Sequence, residues 1–246
     1  MTASHLLYDL KYHTMRTIVY GDSFSFPEAC NTSADDMWYT HVFAPTQEIL
    51  NRAKPLNNTE TMFLQATHDC VTHKEPAHLV IALGPLQRLP TYTDGWHDKE
   101  TLKPVDEEGH NTDLSHCQQH FNSFVWRDAE EGKNLDLFHP TYLWARLYSN
   151  IITLDALCRQ LGHRLLVLHM SVHDRDFNTD HPLIRPLGER VSDLDYIDET
   201  HSCTSVCRQA NIKPWDYDKY GWIGHHSADG QRHFGLHIKN ILNPGH

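Results

Sequence analysis

Apolar residues are distributed along this chain in two kinds of run. Two runs are short and unbroken: His78-Leu79-Val80-Ile81-Ala82-Leu83-Gly84, held between Pro76 and Pro85, and Arg164-Leu165-Leu166-Val167-Leu168-His169-Met170. Continuous runs of that length suit strands buried on both faces, as in a parallel sheet. A further strand is expected from about Arg16 to Tyr20, and a short one from Glu48 to Arg52. The second kind of run repeats at helical spacing. From Asn58 to Val71, Met62, Phe63, Ala66 and Cys70 recur three and four apart, with Thr59 placed to cap the start. Pro140 opens a long helix to about Leu161, and Gly162 closes it. Asp35 to Phe43 reads as a short helix with Asp at its start and Pro45 as its stop, and Asp229 to Leu242 reads as the last helix.

The order is strand, helix, strand, helix, strand, long helix, strand, helix. It predicts an α/β fold with a central parallel sheet covered by helices on both faces. The chain contains no internal repeat and no low-complexity tract. One domain over residues 1–246 is expected, with irregular insertions at about 86–139 and 177–214. The first of these is polar and carries Gly, Pro and acidic clusters, as a lid or a surface loop would.

At 246 residues the chain is long enough to bury a sizeable core, and 39% hydrophobic with 22% charged content fits a globular protein. The net charge of −11 argues against a nucleic-acid or anionic-membrane partner, either of which calls for a basic patch. Histidine is unusually abundant: protonating all 21 copies would carry the charge from −11 to +10. No stretch reaches the ~18 apolar residues of a membrane span. The start, Met1-Thr2-Ala3-Ser4-His5-Leu6-Leu7-Tyr8-Asp9, lacks the charged-then-apolar form of a signal peptide. Cys30, Cys70, Cys117, Cys158, Cys203 and Cys207 are scattered through the chain, a pattern of reduced thiols in a cytosol-like compartment. Asn31-Thr32-Ser33 and Asn57-Asn58-Thr59 match a glycosylation pattern, and without a secretory signal they count as chance.

Two segments carry the chemistry. Near the N-terminus, Ile18-Val19-Tyr20-Gly21-Asp22-Ser23 is an apolar strand running out into Gly-Asp-Ser. A serine where the chain leaves a sheet has its hydroxyl in the crevice where ligands of α/β sheets gather. Gly21 permits a tight turn, and Asp22 supports it by hydrogen bonding. Near the other end lies Gly224-His225-His226-Ser227-Ala228-Asp229-Gly230-Gln231. A serine hydroxyl needs a base within reach to become a nucleophile, and an imidazole is the usual one.

Together these segments resemble the SGNH (GDSL-like) hydrolases, which open with Gly-Asp-Ser and close with a catalytic His in a pattern like H-P-S-x-x-G-H. The match Ser227-x-x-Gly230 puts His225 at the catalytic position and Gln231 at the second His; the alternative register uses His226. The resemblance implies a flavodoxin-like three-layer sandwich and hydrolysis of an ester, an acyl group on a sugar or small alcohol, with Ser23 as nucleophile. It also implies two middle blocks that contribute oxyanion or substrate contacts. Lys54-Pro55-Leu56-Asn57-Asn58 stands for P-G-x-S-N, with Leu56 in place of Gly and only its backbone N–H retained. Gly84-Pro85-Leu86-Gln87-Arg88 stands for G-x-N-D, with Gln87 the nearest amide and Arg88 available to an anionic group. This third block is closer to those of phage-encoded SGNH-like proteins. The acid that orients the His usually stands three residues before it. That position is Trp222, or Ile223 in the other register, while Asp216 and Asp218 lie farther upstream, at a distance that requires a loop to bring one in.

These departures keep a second reading open: a domain that has lost catalysis and serves in binding or structure, with a virion or an infected host cell as an alternative to the cytoplasm. Two clusters offer metal-ligating side chains, His225/His226 with His233/His237, and His201 with Cys203 and Cys207. Neither has a finger spacing, and there is no H-E-x-x-H, so no metal and no cofactor is expected. The partner expected is a small-molecule or glycan ester; nothing in the sequence fixes an oligomeric state.

Overall fold

A computed structural model describes residues 15–43, 48–55, 57–84, 88–92, 121–125, 140–171 and 181–244; the side chains of 88–92, 121–125, 140 and 223 lie outside that description. In chain order the elements are β1 (Arg16–Gly21), α1 (Trp38–Val42), β2 (Ile49–Asn51), α2 (Thr59–Thr72), β3 (Ala77–Leu83), β4 (Arg88–Tyr92), β5 (Phe121–Val125), α3 (Pro140–Leu161), β6 (Arg164–His169), α4 (Arg185–Ser192), β7 (Tyr196–Ile197), α5 (Cys203–Gln209), α6 (Tyr217–Tyr220) and α7 (Ala228–Leu242). The main sheet has the order β2-β1-β3-β6-β7, and every pairing in it is parallel. Counting only its own strands, that is second, first, third, fourth, fifth, the flavodoxin-like winding. β4 and β5 form a separate antiparallel ladder.

The unbroken apolar runs form strands because both faces of the sheet are covered. All seven residues of β3 are buried. Successive side chains point to opposite faces, so each strand feeds two cores. On one face Ile18, Tyr20, Leu79 and Ile81 meet Met62, Phe63 and Ala66 of α2 and Leu147, Ile151 and Leu154 of α3. On the other, Val19, Val80 and Ala82 meet Trp38 of α1, Cys203 and Cys207 of α5, and Phe234 and Ile238 of α7. The register aligns Ile18 with Leu79 and Leu79 with Leu165, so the apolar rows run continuously across the sheet. Among the described residues no helix is long and apolar enough to cross a membrane.

Several boundaries differ from the sequence expectation. The cap of α2 is Asn58, whose Oδ1 accepts from the Thr61 N–H at 2.9 Å; Thr59 is already the first helical residue. The helix expected over 35–43 is broken: a 3-10 turn spans Ala34–Asp36, Met37 is extended, and α1 starts only at Trp38. Gly162 does end α3, at φ +80°, and His163 N–H bonds back to Cys158 O at 2.8 Å. The stretch expected to be irregular at 177–214 holds α4, β7 and α5 within its described part. These elements run eight, two and seven residues, too short for a period to emerge from the pattern. Of the stretch 86–139, only β4 and β5 fall within the described residues.

Candidate active site

β1 ends at Gly21, and the chain turns at once. Asp22, fully buried, caps a 3-10 turn over Ser23–Ser25: its Oδ1 accepts from the Phe24 N–H at 3.0 Å, and its carbonyl accepts from the Ser25 N–H at 3.1 Å. Ser23 therefore sits just past the carboxyl end of β1, an inner strand of the sheet, and is 8% exposed. It stands where the winding reverses between β1 and β3, the crevice position of open α/β sheets. Gly84, just past β3, makes room for this turn, since a Cβ there would lie 1.9 Å from Asp22 Oδ2.

The other half arrives from the far end of the chain. His225 directs Nε2 to Ser23 Oγ at 2.9 Å, across 202 residues of sequence. Its Nδ1 meets Asp216 Oδ2 at 2.8 Å, and its backbone N–H donates to Asp216 Oδ1 at 2.7 Å. One carboxylate thus holds both the ring and the backbone of the same residue. Residues 215–225 close on themselves to allow it, with Trp215 N–H donating to His225 O at 3.0 Å and α6 folded in between. Gly224 is required by space: a Cβ would lie 2.1 Å from Asp216 Oδ1. Phe24 packs on the imidazole with ring centroids 5.0 Å apart.

Serine, imidazole and carboxylate in hydrogen-bonded sequence can move a proton off the hydroxyl and stabilise the cation that results. Similarity to known proteins appears only in three dimensions. No protein-family model matches the chain, and no curated protein does. Among solved structures, protein YXIM from Bacillus subtilis superposes with a TM-score of 0.51 at 13% identity, over 94% of this chain and 57% of that one. A member of the lipolytic protein G-D-S-L family from Veillonella parvula gives 0.48 at 13% identity, over 92% and 97%. The psychrotrophic esterase EstA from Pseudoalteromonas sp. gives 0.48 at 9% identity, over 94% and 97%. The likeness is one of fold, a parallel sheet in flavodoxin-like order between two helical layers.

Within this scaffold the sequence-derived candidates part company. His225 meets Ser23, whereas His226, the alternative base, turns into the core and is 0% exposed. Consecutive residues in extended chain point to opposite sides, so only one of the pair can face the serine. Asn57, buried, donates Nδ2–H to Gly21 O at 3.2 Å and so ties the second block to the end of β1. Leu56 and Gln87 lie outside the described residues, as does the side chain of Arg88. Among the described residues the two clusters weighed for a metal do not form as drawn, and His201 Nδ1 and His237 Nε2 lie 3.1 Å apart on the surface.

Asp216 reaches His225 through the loop that its spacing requires. Its nine-residue separation from His225 exceeds the usual three, and the closed loop removes the difference. Gln231 carried no role in the sequence reading, yet it is fully buried and links three parts of the site. Its Nε2 donates to Phe24 O at 3.2 Å and His226 O at 3.3 Å, and its Oε1 lies 3.4 Å from the Trp38 N–H. Its place at the second His of the closing block was the available signal. Cys30, whose thiol donates to Ser23 O and Phe24 O at 3.4 Å, completes the support; burial, with Asp22 and Asp216 nearby, pushes that thiol up to about 12.

Proposed function

We propose that this chain is a serine hydrolase of SGNH type that cleaves an ester, an acyl group carried on a sugar or small alcohol. Ser23 is the nucleophile, His225 the general base and acid, and Asp216 the residue that orients His225. The observation that carries this reading is the His225 ring held between Ser23 Oγ and Asp216 with a hydrogen bond at each nitrogen.

In the first step Ser23 Oγ attacks the acyl carbon while its proton passes to His225 Nε2. Asp216 steadies the imidazolium. The backbone N–H groups of Ser23 and Leu56 are the proposed donors to the tetrahedral oxyanion. Collapse expels the alcohol, which takes the proton back from His225, and water attacks the acyl-enzyme by the same route in reverse. Arg88 is proposed to serve substrates with an anionic group. Cys30, Cys70, Cys158, Cys203 and Cys207 are free thiols, which supports a reducing compartment such as the cytoplasm.

A fluorophosphonate probe tests the reading, because it marks activated serines irrespective of substrate. The intact protein is expected to label, and Ser23→Ala, shown to be folded by circular dichroism, is expected not to. A folded intact protein that stays unlabelled would instead favour a domain retained for binding. A screen of acylated sugars and short-chain aryl esters then defines the substrate.

A further inference from the structure

The histidine that turns away from the serine has no hydrogen bond to explain its burial. His226 is 0% exposed, and neither Nδ1 nor Nε2 has a hydrogen-bond partner among the described residues. Backbone constraints put it there, since His225 beside it must face Ser23. Orphaned polar atoms in a core are costly, so their surroundings call for a partner.

Two sulfurs occupy those surroundings. Cys203 and Cys207 stand four apart on α5, hence on one face of that helix, and both are 0% exposed. One ligand atom from each of Cys203, Cys207 and His226 can be chosen so that all lie within 4.8 Å of one another. Thiolate and imidazole are the ligands of tetrahedral zinc sites, and bond lengths near 2.3 and 2.1 Å place such donors about 3.8 Å apart. A contraction of an ångström or less therefore turns this cluster into a first coordination sphere.

We infer that Cys203, Cys207 and His226 bind a zinc ion, which fixes the strand of chain carrying His225 to α5. The charges balance without further groups: two thiolates and a neutral imidazole around a dication sum to zero, which suits a buried position. On binding, the two thiols release their protons to solvent and the imidazole contributes a lone pair. The site departs from both clusters suggested by the sequence, taking its sulfurs from one and its imidazole from the other. Nothing in it depends on the hydrolase reading, and either can fail alone.

Cobalt(II) titration of the full-length, untagged apoprotein tests the inference. With 21 histidines in the chain, bound zinc alone would not discriminate, since surface imidazoles bind metal too. Sulfur-to-cobalt charge transfer in the near ultraviolet reports thiolate ligation specifically. One equivalent of cobalt is expected to produce that band, and zinc to bleach it. Cys207→Ser should abolish it and His226→Gln weaken it. Cys70→Ser should leave it intact, since Cys70 pairs with Cys158 at 3.7 Å elsewhere in the core. A folded wild-type apoprotein that yields no such band overturns the inference, whatever the variants do. So does a non-reduced mass two hydrogens light with Cys203 and Cys207 joined in one peptide.

Discussion

At the scale of single residues, the site depends on how Asp216 reaches His225. Two carboxylates, Asp216 and Asp218, were candidates on sequence, and the folded chain brings in the one whose oxygens meet both the N–H and the Nδ1 of His225. Asp216→Asn should slow fluorophosphonate labelling of Ser23 by ~10³–10⁴-fold, the usual cost of removing the orienting acid from such a triad. Asp218→Asn should leave the rate unchanged. Gly224→Ala should behave like the loss of Asp216, because its Cβ and the carboxylate cannot occupy the same space. Labelling rates of the three variants, measured against matched circular dichroism spectra, check all of this. The serine and a closing-block histidine were legible from sequence because each lies in a short local pattern. The acid was not, because its position depends on a loop closed by the Trp215–His225 backbone bond, which leaves no spacing rule to read.

At the scale of elements, β3 illustrates what a residue pattern reveals and what it hides. Its apolar run announced a buried strand, and every residue of it is buried. His78 lies within that run, 6% exposed, against the Phe43 ring on the side of the second core. Burial lowers its pKa from 6.5 to about 4. Because the unfolded chain binds the proton more readily, this group's contribution is fully present above pH 6.5. It is lost as the pH falls from there to about 4. The loss amounts to about 3 kcal/mol at most. Urea unfolding at pH 7 and pH 4 should therefore show a smaller drop for His78→Leu than for the parent, and an equal drop would refute the assignment. The elements hidden from the sequence are α4, β7 and α5. Their buried positions are few, and α5 is recognisable mainly through its Ser202 cap, whose Oγ accepts from the Ser205 N–H at 3.2 Å.

At the scale of the whole molecule, Ser23 and His225 come from opposite ends of the described chain, and α7 is what brings them together. It packs on α1 and α5 through Phe234 and Ile238, both 0% exposed. Phe234→Ala should cost ~3–5 kcal/mol of stability, the range for emptying a large buried side chain. Labelling of Ser23 should then disappear over the same temperature interval as the fold, as shown by parallel melting curves. The parallel sheet followed from the order of apolar runs and its winding from the family resemblance, but this docking of the two termini did not, since it joins surfaces with no sequence relation. In the proposed mechanism Ser23 is activated by His225 and Asp216 acting as one unit. The most direct measurement is the second-order rate constant for phosphonylation of Ser23, with the adduct mapped by peptide mass spectrometry, in the parent, His225→Ala and the His225→Ala/Asp216→Asn double variant. A large fall is expected for His225→Ala, with no further fall in the double variant. A parent protein whose Ser23 carries no adduct, or a His225→Ala variant that reacts as fast as the parent, would contradict it.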